Sequence, residues 1–326
     1  MNERIISASA ALAEALHEEM TRDDRVFIIG EDLTAHEGIF GQFKGLPKSF
    51  PDRIIDAPIS ESAIAGVGLG SAITGMRPIV DMHFSDFVTC CMDELCNQAA
   101  KIRYMFGGQV TVPMVLWCPD GAGLRAAAQH SQSLEAWFVH TPGLKVVVPS
   151  EPVDVKGLIK SAIRDDNPVM FFQHKQLFAR QGPVPQEPYL IPLGQAAVKR
   201  EGKDVTLLCY GSSYYLCQEA AEVLVDLNIE AEVVDLRTLK PLDMETVANS
   251  IRKTHRAVIV HEACLTGGYG AELAARIQDE LFDYLDAPIK RVAARDVPVP
   301  FSPGLEDYCL PKVPDVVAAV RAVTYR

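Results

Sequence analysis

The chain has 326 residues, 48% hydrophobic and 23% charged, a composition that excludes a disordered chain and is large enough for two globular domains. Its formal net charge of −12 argues against a nucleic-acid-binding surface. Met1-Asn2-Glu3-Arg4 opens no apolar signal region and no apolar stretch approaches the roughly 20 residues that span a bilayer, so a cytoplasmic chain with no membrane segment is expected.

Apolar periodicity predicts, in chain order, helix 8–20, strand 26–29, helix 62–74, strand 78–82, helix 86–103, strands 112–117 and 144–148, helix 152–164 and strand 169–172. Pro183, Pro185, Pro188 and Pro192 then mark a linker. The alternation restarts with strand 205–210, helix 214–227, strand 231–236, helix 244–253, strand 257–261, helix 269–285, strand 289–293 and a final helix near 315–323. Val- and Ile-rich strands interleaved with helices indicate mostly parallel sheets covered on both faces. The expected architecture is α/β with two doubly wound domains, residues 1–185 and 199–326, joined by a Pro-rich linker over 186–198.

The eight cysteines, Cys90, Cys91, Cys96, Cys118, Cys209, Cys217, Cys264 and Cys309, form no Cys-x-x-Cys pair, which disfavours zinc and a redox dithiol. Buried thiols in a reducing compartment are expected. Gly66-Val67-Gly68-Leu69-Gly70 has the wrong spacing for a dinucleotide fingerprint and there is no phosphate-binding Gly-x-x-x-x-Gly-Lys-Ser/Thr loop.

Glu61 stands at the head of the predicted helix 62–74, whose three interior glycines each cost roughly 0.5–1 kcal/mol relative to Ala. Gly66 and Gly70 lie one turn apart, so another backbone, subunit or ligand is expected to approach that face. Glu61 itself reads either as a first-turn acid complementing the helix dipole or as a group facing the same crowded region. His130, after a strand and the Asp120–Arg125 loop, is where open α/β sheets place ligands, and is read as an acid/base or as a structural histidine. Arg125 is read as a clamp for an anionic substrate or as a solvated loop cation. Phe84 and Phe87, beyond strand 78–82, can stack on a planar heterocycle or serve the core. His83 adds a titratable ring in that turn. Asp165, Asp166 and Asn167, before Pro168, suit either a hard cation or a turn.

Taken together, Gly30-Glu31-Asp32, Pro58-Ile59-Ser60-Glu61-Ser62, Gly75-Met76-Arg77-Pro78-Ile79, Ala128-Gln129-His130-Ser131-Gln132, Pro142-Gly143-Leu144-Lys145-Val146-Val147, Asp235-Leu236-Arg237-Thr238-Leu239 and His261-Glu262-Ala263 carry a resemblance over essentially the whole chain. It resembles the beta subunit of the thiamine-diphosphate-dependent dehydrogenase component of 2-oxoacid dehydrogenase complexes, the acetoin branch included. The resemblance implies a pyrimidine-binding domain followed by a transketolase-type C-terminal domain. Glu61 would hydrogen-bond N1′ of the aminopyrimidine and so promote loss of the thiazolium C2 proton, burial raising its pKa. Phe87 would pack on the pyrimidine, Ile59 and His83 would line the cofactor pocket, and His130 would stand at the mouth for substrate handling and transfer to lipoamide.

Val112, Met114, Ala162, Asp165 and Asn167 match a potassium site found in part of that family. The family's magnesium motif, Gly-Asp-Gly followed by Asn, is missing, which places Mg2+ on an alpha subunit and implies an α2β2 assembly working with a dihydrolipoyl acyltransferase. The implied substrate is acetoin, pyruvate or a branched-chain 2-oxoacid. The alternatives are the small half of a split transketolase-like ketol transferase and a non-catalytic assembly subunit.

Overall fold

The computed structural model describes residues 4–326, which form two compact α/β units. The first comprises the chain up to Asp120 together with Trp137–Leu193; the second comprises Gly121–Ala136 and Gly194–Arg326. The cut at 193/194 falls inside the expected linker, while grouping of Gly121–Ala136 with the second unit is a feature that a linear reading misses.

In the first unit, fully parallel strands run in the order Lys145–Val147, Val169–His174, Val115–Asp120, Arg77–Asp81, Val26–Gly30, Ile54–Asp56. Val26–Gly30 and Val115–Asp120 are buried at every position, the pattern of strands covered on both faces. From Val26–Gly30 the chain steps outward to Ile54–Asp56, then crosses back to Arg77–Asp81 on the opposite side. The crevice of the sheet therefore opens between the C-terminal ends of Val26–Gly30 and Arg77–Asp81, where open parallel sheets bind ligands.

The helix Pro152–Arg164 begins on Pro152, pre-set for a first helical position, and ends at Asp165, whose amide still bonds Ala162 O. It packs on the helix Ala8–Arg22 through buried lysines. Lys156 and Lys160 are 0% and 1% exposed; Lys156 pairs with Glu14 and Glu18, Lys160 with Glu18. Glu18→Ala strips the buried Lys160 ammonium of its partly exposed carboxylate and should destabilise the chain by about 1–3 kcal/mol, whereas Lys160→Met should be nearly neutral. Urea midpoints check both, and equal losses in the two variants would show that packing, not charge, holds the helices together.

The expected continuous helix 86–103 is instead a 3₁₀ segment Ser85–Cys91, a π segment Asp93–Ala99 and a short α-helix Ala100–Met105. Ser62 Oγ donates to Cys90 O at 2.5 Å, engaging from outside a carbonyl that a regular helix would use, and the Ala100 amide reaches five residues back to Leu95 O.

The second unit has strands in the order Lys290–Ala294, Ala257–Cys264, Val205–Cys209, Ala231–Asp235, Ala197–Arg200. All neighbours are parallel except the edge strand Ala197–Arg200, which pairs antiparallel with Ala231–Asp235. Each unit has its own apolar core, one around Ile28, Val115, Trp117 and Phe171, the other around Leu207, Val233, Val258 and Val320. The cysteines are all free thiols, but Cys90 and Cys264 are exposed rather than buried, and among the described residues no helix is long and apolar enough to cross a membrane.

Candidate active site

The switch-point crevice collects acids. Gly30 ends one strand against Asp81 of the next: a Cβ on Gly30 would lie 2.7 Å from Asp81 Cβ, so glycine is what lets the two strand ends close up. The turn that follows, with Asp32 at φ 52°, is held by Asp56, whose Oδ1 accepts from the amides of Leu33 (2.6 Å) and Thr34 (3.2 Å). Across the crevice His83, a left-handed residue at φ 62°, lies two residues beyond the strand Arg77–Asp81. Asp81 Oδ1 accepts the His83 amide at 2.9 Å.

Glu61 opens the helix Glu61–Ile73 and is half-buried; its carboxylate has no hydrogen bond or ion pair with any described residue. Burial, followed by the charges of Glu61 and Asp32, pushes the Glu31 carboxyl up. Burial pushes His83 down, opposed by Asp32 and Glu61. Glu31, Asp32, Glu61 and His83 thus form one electrostatic group. Phe87 and Phe84 meet edge to face at 5.8 Å beside His83, and Ile59 stands 80% exposed just ahead of Glu61.

Asp81 is 1% exposed and burial lifts its carboxyl to about 7, with Glu31 adding to the rise and the His83 amide opposing it. Because the folded pKa lies above the ordinary 3.8, the folded state holds a proton that the unfolded chain has released, and stability falls as pH rises through that window. Asp81→Asn cannot ionise, so it should gain on wild type by up to about 4 kcal/mol between pH ~4 and ~8. Urea midpoints read the gain; a difference that stays constant with pH would mean that Asp81 titrates normally.

Several expectations change here. Glu61 is half-buried rather than buried. Close approach to the glycine helix falls on Gly68, where a Cβ would lie 2.4 Å from Val80 Cγ2; a Cβ on Gly66 would meet only Glu94 Cγ, at 3.9 Å, and one on Gly70 nothing within 4 Å. Neither Gly66 nor Gly70 is closely approached by a described residue. Val112, Met114, Ala162, Asp165 and Asn167 do gather at one end of the sheet, but their oxygens are engaged. Asp165 Oδ2 takes the Lys145 ammonium and Asn167 Oδ1 the Arg103 guanidinium (2.5 Å), while the carbonyls of Val112, Met114 and Ala162 accept backbone amides at 2.8, 2.9 and 3.2 Å. Of these side chains only Asp165 is charged, and as placed Lys145 balances it.

His130 is half-buried in the segment grouped with the second unit. Arg125, expected to meet either an anion or solvent, meets Glu306 Oε2 at 2.8 Å and Asp307 Oδ1 at 2.7 Å. Asp81, Asp56 and Glu306 escaped the sequence reading, and Glu262 entered it only within the motif His261-Glu262-Ala263, with no role of its own. An acid closing the apolar strand Arg77–Asp81 was the signal available for the first; the others became visible only through their partners.

The donor set in the crevice suits a planar heterocycle with a protonatable ring nitrogen. It offers a half-buried carboxylate without a partner, a His83 Nδ1 that makes no hydrogen bond, an aromatic ring and an exposed aliphatic side chain. Among the described residues no group of three or more His, Cys, Asp or Glu is placed to hold a metal ion. Fold and site together define a transketolase-type protein.

Family models agree: residues 5–181 match the transketolase pyrimidine-binding domain and residues 194–316 the transketolase C-terminal domain. The acetoin:2,6-dichlorophenolindophenol oxidoreductase beta subunit of Cupriavidus necator is 46% identical, over 98% of this chain and 97% of its own. The pyruvate dehydrogenase E1 beta subunit of Rickettsia felis is 46% identical over 98% of each, and the 2-oxoisovalerate dehydrogenase beta subunit of Bacillus subtilis 44% identical over 97% and 98%. A solved split-gene transketolase, described as an inactive beta4 tetramer, superposes with a TM-score of 0.80 at 25% identity over 98% of each chain. The chain belongs to the family of beta subunits of thiamine-diphosphate-dependent 2-oxoacid and acetoin dehydrogenases.

Proposed function

We propose that this chain is the beta half of an α2β2 dehydrogenase that cleaves the C–C bond of acetoin, or oxidatively decarboxylates pyruvate or a branched-chain 2-oxoacid. The acyl unit then passes to lipoamide on a dihydrolipoyl acyltransferase. The observation that carries this reading is the Glu61 carboxylate at the switch point, near His83 and without a hydrogen bond or ion pair to any described residue. When bound, thiamine diphosphate supplies a nucleophilic carbon for attack on a carbonyl. Glu61 holds a proton against the pyrimidine nitrogen, Phe87 packs on the ring, and Ile59 and His83 line the pocket. His130 handles the substrate. Magnesium and the diphosphate belong to the alpha subunit.

Potassium, if used, must displace Lys145 or share its carboxylate; a shift in melting temperature with K+ but not Na+ tests that role. The likeness to a split transketolase supports a second reading, transfer of a ketol unit to an aldose. Reconstitution with the alpha partner separates them. Acetoin, pyruvate and 2-oxoisovalerate are compared with a dye acceptor and with lipoamide, and an aldose acceptor is run beside them. Turnover only with the aldose would sink the dehydrogenase reading.

A further inference from the structure

The segment that carries His130 adopts backbone that a free loop avoids. Gly121, Gly123, Arg125 and Ala127 have φ of 84°, 91°, 59° and 62°, and two of these bear side chains. Strained residues of this kind persist only where their surroundings over-determine them.

Two carboxylates from other parts of the second unit do so. Glu262, on the strand Ala257–Cys264, accepts the Ala122 amide at 2.7 Å through Oε1 and the Ser212 hydroxyl at 3.1 Å through Oε2. Glu306, on the helix Pro303–Cys309, accepts the next amide, that of Gly123, at 2.6 Å through Oε1 and the Arg125 guanidinium at 2.8 Å through Oε2. Arg125 also donates to Pro303 O (3.1 Å) and pairs with Asp307. The Gly121 amide closes the base of the segment on Gln132 O at 3.0 Å.

Glu306 is 0% exposed, so its charge must be met by donors, and its side-chain donors all come from this loop. Charge-assisted bonds of this kind are the strong ones, and a buried carboxylate left without them is costly. Loop and carboxylate therefore hold or release together. We infer that Glu306, seconded by Glu262, is a positioning residue that sets the backbone course of residues 121–127 and thereby the direction in which His130 is presented. This rests on the role given to His130 under the proposed function. It assigns Arg125 to the loop's own anchorage.

The test uses the full-length chain. Glu306→Gln keeps an oxygen for the Gly123 amide but loses the charge that holds Arg125; Glu306→Ala loses both. Hydrogen exchange across residues 121–130 should accelerate about tenfold or more in Glu306→Ala, and less in Glu306→Gln, with the strand Ala257–Cys264 unchanged. In the complex reconstituted with the alpha partner, kcat should fall with little change in KM, and Gln should rescue most of it.

Wild-type exchange over 121–130 in a folded Glu306→Ala chain would overturn the inference. Should that variant fail to fold, Arg125→Gln cuts the same contact from the loop side and is judged by the same criterion. If exchange responds but the wild-type complex turns over neither acetoin nor a 2-oxoacid, the functional reading fails and the anchoring stands. If the wild type is active and Glu306→Ala keeps full kcat despite faster exchange, the loop does not set how His130 is presented and the positioning role fails.

Discussion

Glu61→Gln is expected to lower turnover of the chain in complex with its alpha partner by about two to four orders of magnitude, the range in which a positioned proton-transfer group contributes. Stability of the isolated chain should change by less than about 0.5 kcal/mol, as for a surface substitution away from any structural contact. The two halves of this expectation share one observation: the carboxylate heads the helix Glu61–Ile73 without a partner among the described residues. A purely structural acid there complements the helix dipole, a contribution of about 0.3–1 kcal/mol with no bearing on rate. Gln preserves shape and hydrogen-bonding reach but cannot hold a shared proton. Turnover within a few-fold of wild type would eliminate the proton-holding role and favour a non-catalytic assembly subunit.

Gly143→Ala should destabilise the chain by about 4 kcal/mol or more, enough to leave it insoluble or to lower its melting temperature by roughly 10 °C. Gly143 has φ 99°, and a Cβ there would stand 1.8 Å from the Ala100 carbonyl oxygen. Backbone strain and overlap with a fixed backbone atom act together, and neither can be relieved by a rotamer change. Gly75→Ala separates the two effects, because Gly75 has φ 103° but open space around its missing Cβ. It should cost only about 1–3 kcal/mol, the price of strain alone. Equal losses in the two variants would mean that the close approach to Ala100 relaxes on substitution.

Much of the architecture was legible before any coordinates. The strands at Val26–Gly30, Val169–His174 and Val205–Cys209 emerge as apolar runs because both faces are covered, and the helix Pro152–Arg164 carries its own start and stop in Pro152 and Asp165. The stretch 85–105 was not legible, because the Ser62–Cys90 bond that interrupts regular helix joins residues far apart in sequence. The edge strand Ala197–Arg200 was missed for a related reason: half-exposed and only four residues long, it owes its existence to the neighbour it pairs with.

The glycines of the helix Glu61–Ile73 divide the two kinds of information well. Sequence alone required that something approach this helix closely, since three interior glycines cost stability for no local gain. Only packing decided that Gly68 meets Val80 inside the chain while Gly66 and Gly70 meet no described residue closely.

What the sequence by itself determined was the alternating α/β plan and, through ordered motifs, the family, from which the proposed role of Glu61 as the acid of half a cofactor site is drawn. These follow from local periodicity and from residue types whose chemistry survives without context. The tertiary structure decided which residues stand behind that acid and behind His130. Gly30 and Asp81 close the crevice, His83 hangs on the Asp81 carboxylate, and Glu262 and Glu306 hold the loop of residues 121–130. A carboxylate acquires such a role only from the amide that folding brings to it, and no spacing along the chain records that meeting.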